Sequence, residues 1–209
     1  MKESYKKIIE HYENCLKEHG DTHLGVDWPN LEDALTRYKI MLDIIRHNDD
    51  NDELTLLDFG CGASHLYEYI KEHQFDKIEY SGLDISKSYV ELSRSKYPEN
   101  TYYDFDIMKE DNQLPEFDYI ICNGVFTEKR ELSFEEMWDY VQVILPIIFS
   151  KAKKGIAFNV MSKSLDRERW DLFHLSADLI IDFMTKNLSR NFILRNDYGL
   201  WEYTVYLYK

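Results

Sequence analysis

The stretch that most constrains this chain runs from Leu54 to Ile70. It opens with a short apolar run, Leu54 to Phe59, of the length of a buried strand. Gly60 and Gly62 follow where the backbone must turn, and Leu66, Tyr67 and Ile70 then fall on one face of a helix. A strand, a glycine turn and a helix N-terminus make a nucleotide-binding corner, because glycine lets the backbone approach a ligand and the free N–H groups of the helix start face it. The dinucleotide pattern G-x-G-x-x-G is incomplete here, since Ser64 and His65 follow the two glycines. Asp58 ends the first strand. A second acid, Asp84, lies 84 − 58 = 26 residues on, after Tyr80-Ser81-Gly82-Leu83. That offset puts it at the tip of the neighbouring strand, where a ribose would lie.

From residue 54 onward the pattern alternates between strands and helices. Strands are predicted at 54–59, 79–84, 101–105, 117–122 and 155–161, and helices at 64–74, 87–96 and 134–152. Alternation of this kind dictates a doubly wound, mainly parallel α/β sheet, with ligands at the carboxyl ends of its strands. Asp58, Asp84, Asp106 and Asn123 all fall at such ends. Ser133-Phe134-Glu135-Glu136 is a capping box, and Pro146 should kink or split the long helix behind it. Residues 162–175 are ambiguous, and Ser176 caps a helix through Leu188. Residues 191–197 and 201–208 read as a closing antiparallel hairpin. Upstream, residues 3–19 form a helix with Tyr5, Ile8, Ile9, Tyr12 and Leu16 on one face, and a second helix spans Leu31 to His47. Between them, residues 19–30 form a Gly-punctuated loop with the contents of a lid, and Asn48 to Glu53 is a polar link.

Asp58-Phe59-Gly60-Cys61-Gly62-Ala63-Ser64 resembles the first motif of the class I S-adenosylmethionine (SAM)-dependent methyltransferases, with Ser64 in place of the third glycine. The likeness continues through Leu83-Asp84-Ile85-Ser86, Tyr103-Asp104-Phe105-Asp106-Ile107 and Phe117 to Gly124, four motifs in order. The resemblance implies a seven-stranded sheet with a C-terminal antiparallel strand and an N-terminal helical lid. It implies SAM as cofactor and S-adenosylhomocysteine (SAH) as product. It further implies a cofactor site built from Asp58, Gly60, Cys61, Gly62, Asp84, Ile85, Asp106, Ile107 and Asn123. The lid-like loop itself is expected to close over the cofactor with Trp28 and Arg37, Arg37 meeting the SAM carboxylate or a phosphate of a nucleotide-activated acceptor, with a surface salt bridge as the alternative. Gly25-Val26-Asp27-Trp28, Arg37-Tyr38, Phe158 to Ser162, Asn196 to Tyr198 and Glu202 to Tyr206 look like a group of small bacterial methyltransferases linked to surface-polysaccharide and other small-molecule pathways.

Residues 1–50 are then N-terminal helices and lid of the same domain, and 51–209 the cofactor-binding core. Twenty-five Lys and Arg against 39 Asp and Glu give a formal net charge of −14, which repels phosphate backbones and makes DNA and RNA unlikely substrates. Cys15, Cys61 and Cys122 have neither disulfide nor metal spacing, in keeping with a reducing cytoplasm and with no metal. The residues from Met1 to Lys7 lack the apolar core of a signal peptide, and no run approaches the roughly 20 residues needed to cross a bilayer. The expected partner is a small-molecule acceptor, and the expected state a monomer or homodimer. A hydroxyl acceptor would need its proton removed. Of His19, His23, His65 and His174, the expectation falls on His23 and His174 as the groups placed to meet an acceptor. The expected reaction is methyl transfer to oxygen or nitrogen of a small molecule, with a nucleotide-activated sugar or polysaccharide precursor as one acceptor class. The alternatives are a non-catalytic SAM-binding or regulatory subunit and, more distantly, a nicotinamide-binding oxidoreductase.

Overall fold

The computed structural model describes residues 5–45, 53–110 and 113–209. Its centre is a sheet in the order β3-β2-β1-β4-β5-β8-β7, with a short β6 paired to the end of β5. The strands are β1 (Leu54–Phe59), β2 (Ile78–Leu83), β3 (Thr101–Tyr103), β4 (Phe117–Cys122), β5 (Ala152–Ser162), β6 (His174–Leu175), β7 (Phe192–Arg195) and β8 (Glu202–Tyr208). β1 pairs in parallel with β2 and β4, β2 with β3, and β4 with β5. β8 runs antiparallel to both β5 and β7. Among the described residues the sheet is therefore mixed and has eight strands rather than seven, because the pair His174–Leu175 adds to the edge of β5.

The two faces follow from the alternation of side chains along each strand. Leu57, Phe59 and Ile120 point to one side, where α6 (Phe134–Lys151) and α7 (Ala177–Asn187) supply Met137, Val141, Ile144, Ile180 and Met184. Leu56, Tyr119 and Ile121 point to the other, where α2 (Leu31–Leu42), α3 (His65–Glu72) and α4 (Lys87–Lys96) supply Tyr38, Met41, Leu66, Ile70 and Val90. Both faces are covered by helices, which is why these strands read as near-continuous apolar runs. α1 (Lys6–His19) differs from the other long helices, since none of its residues is fully buried.

Several boundaries depart from the sequence-based expectation. α2 ends at Leu42, whereas the expected helix ran on to His47; Arg46, His47 and most of the acidic link lie outside the described residues. α6 is not split at Pro146: it runs as one 18-residue helix, with Ile144, Leu145 and Ile148 buried on either side of the proline. Side-chain burial there outweighs the one backbone hydrogen bond that proline removes. A four-residue helix, α5 (Ile107–Glu110), and the strand β6 were not anticipated. β5 begins at Ala152, before Gly155, and the expected hairpin is present as β7 and β8.

Candidate active site

The carboxyl ends of β1, β2 and β4 and the exit of β3 open into one pocket, roofed by α1 and the loop that follows it. The turn after β1 is tied to β2 by the N–H groups of Gly60 and Cys61, which both donate to the Leu83 carbonyl at 2.7 and 3.1 Å. Gly60 has φ of +78°, and a Cβ there would come within 2.6 Å of Val125 Cγ2, so the position admits only glycine. Ser64, where a third glycine would stand, has φ of +59°; its hydroxyl is fully buried and donates to Ser93 Oγ at 2.9 Å. The serine is thus accommodated by a hydrogen bond rather than by open space.

Asp84 holds this corner together. Its Oδ2 accepts from Gly62 N–H at 3.0 Å and its Oδ1 from Ser86 N–H at 2.9 Å. Each carboxylate oxygen keeps a second lone pair, so the group still can accept two hydroxyl donors from a ligand. Burial pushes its acid up to about 6, opposed by the two backbone N–H groups. Asp58 is 3% exposed and accepts from Tyr80 OH at 2.8 Å; burial lifts it to about 7, and the neighbouring Asp84 charge adds to that. Cys61 is buried beside both acids, and burial first and their charge second drive its thiol well up, which leaves it neutral. Asp106 accepts from Met108 N–H at 3.1 Å through Oδ1 and from Tyr5 OH at 2.6 Å through Oδ2. Asn123 Oδ1 is a buried acceptor for which the described residues supply no hydrogen-bond donor. A buried orphan acceptor in a ligand-shaped cavity calls for a donor from the ligand.

The roof comes from Tyr5, Ile8, Ile9 and Tyr12, with Val26 and Trp28 of the following loop. Tyr89 OH donates to the carbonyls of Tyr12 and Gly25, and Ser86 Oγ donates to Glu13 Oε1 at 2.7 Å. A charged cluster closes the outer edge. His11 Nε2 lies 2.7 Å from Asp27, and Arg130 reaches Asp27 at 3.1 Å, Glu128 at 3.1 Å and Asp171 at 3.5 Å. Burial lifts Glu128 to about 7 although the Arg130 charge opposes it.

Of the residues expected to bind cofactor, the structure brings Trp28, Asp58, Gly60, Cys61, Gly62, Asp84, Ile85, Asp106, Ile107 and Asn123 to this one pocket. Arg37 is not among the lining residues. Its guanidinium is committed to Glu202, with Nε at 3.0 and 2.9 Å from the two carboxylate oxygens and Nη2 at 2.8 Å. Neither His23 nor His174 lines the pocket. His23 Nδ1 bonds the Trp28 carbonyl at 2.6 Å, which fixes the loop. His174 is buried, with Nδ1 on the Ser162 carbonyl at 2.8 Å and Nε2 accepting from Arg169 N–H at 3.1 Å, so both ring nitrogens are occupied. The histidine that does line the pocket is His65, whose Nε2 lies 2.9 Å from Asp21. The sequence had shown the apolar face of α1 but not its target, and so missed Tyr5 and Tyr12 as roof residues.

Residues 57–142 match a family model described as a methyltransferase domain. Among curated proteins, "Putative methyltransferase Rv1506c" of Mycobacterium tuberculosis is 25% identical over 160 residues, covering 76% of this chain and 95% of that one. The magnesium protoporphyrin IX methyltransferase ChlM of Synechocystis PCC 6803, solved with bound SAH, superposes with a TM-score of 0.65 at 15% identity, covering 98% of this chain and 99% of that one. The plantazolicin methyltransferase BpumL, solved with a pentazolic desmethylPZN analog and SAH, superposes with a TM-score of 0.63 at 12% identity, covering 100% and 99%. The glycine turn, the paired acids at the strand ends and the orphan acceptor of Asn123 suit a nucleoside cofactor, in keeping with the methyltransferase-domain match over residues 57–142 and with a fold like that of methyltransferases solved with SAM or SAH.

Proposed function

We propose that the enzyme methylates an oxygen or nitrogen of a small molecule inside this roofed pocket. The observation that carries the reading is the roof. Trp28 and Val26 lie directly over Gly124 and Gly62, and Tyr5, just before α1, covers Asp106, so the pocket is walled for a compact acceptor. When bound, SAM supplies a methyl group on a sulfonium, transferred in line to the acceptor. In this reading Asp84 accepts from the ribose hydroxyls, Asp106 from the adenine amino group with Ile107 and Ile85 packed beside it, and Asn123 Oδ1 from a ligand N–H. The glycine turn from Gly60 to Gly62 takes the amino-acid end beside Asp58. The walls hold the acceptor against the reacting carbon and exclude water, which is where much of the rate of such a displacement arises. The acceptor class we favour, a nucleotide-activated sugar or polysaccharide precursor, is supported by the resemblance of residues 25–28, 37–38, 158–162, 196–198 and 202–206 to small bacterial methyltransferases linked to those pathways.

The experiment is to incubate the enzyme with methyl-labelled SAM and a metabolite extract and to follow the label by mass spectrometry. Label in a sugar-containing small metabolite is the expected result. Label carried only by protein or nucleic acid, or by no product, would refute the proposal.

A further inference from the structure

Arg37 was expected at the ligand, and the structure turns it toward Glu202 instead. That pair is one link of a closed circuit. Glu202, at the start of β8, is 1% exposed, and its Oε1 also accepts from Asn159 Nδ2 at 2.9 Å. Asn159, fully buried in β5, turns its Oδ1 to the backbone N–H of Gly124 at 2.8 Å. Gly124 leaves β4 with φ of +83°, and a Cβ there would come within 2.9 Å of Trp28 Cζ2. The indole of Trp28 in turn lies under the Arg37 guanidinium, 4.3 Å from its centroid. Five residues from the lid loop, α2, the turn after β4, β5 and β8 thus hold one another in a ring. Two of them, Trp28 and Gly124, are walls of the pocket, and Asn123 with its orphan Oδ1 is next in sequence.

We infer that Arg37, Glu202 and Asn159 are positioning residues of the methyl-transfer site, which fix the Trp28 wall against the Asn123–Gly124 turn. This rests on the reading of the pocket as the SAM site. Stability alone does not account for the arrangement, because a buried ion pair can usually be replaced by apolar residues of similar volume at little cost. What an apolar pair could not supply is direction. The planar fork of Arg37 binds both carboxylate oxygens and stacks on the indole at once, and Asn159 passes the alignment on to a single backbone N–H.

The deciding variant is Arg37→Met/Glu202→Leu, which removes both charges together and leaves neither buried alone. Arg37→Lys, which keeps the charge but loses the fork and the stack, is the milder companion should the double variant fold poorly. Each is compared with wild type by thermal melting, by SAH titration calorimetry, by the fluorescence change on adding SAH, with Trp28→Phe run alongside to isolate the Trp28 signal, and by hydrogen exchange at the Gly124 amide. The double variant also takes the acceptor from buried Asn159 Nδ2, so its melting temperature should fall modestly, whereas SAH affinity should fall about tenfold in it and less in Arg37→Lys. The Trp28 signal should be lost and the Gly124 amide should exchange faster. Wild-type affinity, signal and exchange in a folded double variant would overturn the proposal. Asp84→Ala serves as the control for the pocket itself: unchanged SAH affinity in that variant removes the pocket reading, whereas a loss there beside an unaffected double variant removes only the ring.

Discussion

Two aspartates at neighbouring strand ends have different surroundings, and each difference sets an expected outcome. Asp84 already accepts two backbone N–H groups, so its carboxylate is oriented before any ligand arrives. Asp84→Ala should cost SAH binding ~1.5–3 kcal/mol, roughly tenfold to a hundredfold in affinity, as calorimetry would read. The same variant also leaves the N–H groups of Gly62 and Ser86 without their acceptor, so its effect combines lost ligand contacts with a loosened turn. Asp106 is in the opposite situation, with Tyr5 OH on the oxygen that faces the roof. If Asp106 meets the adenine amino group, wild type should bind SAH more tightly than its inosine analogue, and Asp106→Asn should narrow that gap. Equal affinity of wild type for the two nucleosides would remove Asp106 from the adenine end. Tyr5→Phe separates the two partners of Asp106, because it frees the oxygen without altering the carboxylate.

At the scale of elements, α1 stands apart from the other long helices in having no fully buried residue. Ile8 packs on the core and the preceding Tyr5 stacks on Tyr140, but much of what holds the helix is polar: Tyr5 to Asp106 at its start, Glu13 to Ser86, and His11 to the Asp27–Arg130 cluster. Segments held this way open at low free-energy cost, and a roof over a cofactor must open to admit it. Hydrogen exchange across α1 and residues 19–30 should therefore slow on adding SAH and quicken in Asp27→Asn without it. Exchange in α1 that responds to neither would show that the helix is a fixed part of the wall. The elements themselves were largely legible in the sequence, because Leu56 and Leu57, or Tyr119 and Ile120, alternate between two buried faces and leave a strong apolar signal. The strand-end acids were legible for a related reason, since the motif that carries them is short and local. α5 and β6 were not, being four and two residues long. Nor was the fate of Arg37, whose partner Glu202 lies 165 residues away and is set by strand order rather than by any local pattern.

At the scale of the whole molecule, acidity governs the response to pH. Among the described residues, three acids have folded values above their usual ones: Asp58 at about 7, Asp84 at about 6 and Glu128 at about 7. Burial is the leading cause in each, so the folded state favours their protonated forms. A raised acid contributes stability that is complete below its unfolded value, near 4, and is lost as pH climbs through the folded value. Asp21, Asp118 and Asp171 have the opposite shift, held low by hydrogen bonds from Lys96, Thr55 and Arg169, and their contribution is lost only as pH falls below the ordinary carboxylate range. Melting temperature should thus decline from pH 5 to pH 8. The formal charge of −14 pushes in the same direction, since each lost proton adds to the self-repulsion of an already acidic chain. Salt distinguishes the two causes. Repulsion between exposed charges is screened at ~0.15 M ionic strength, whereas desolvation of a buried carboxylate is not. In Asp58→Asn the amide oxygen can still accept from Tyr80, and the cost of a buried charge is gone. That variant should lose part of the decline at any salt concentration and melt higher than wild type at pH 8, by roughly 2–4 °C for each kcal/mol relieved. If its melting temperature falls with pH as steeply as wild type, in low and in moderate salt, Asp58 is not the group that titrates.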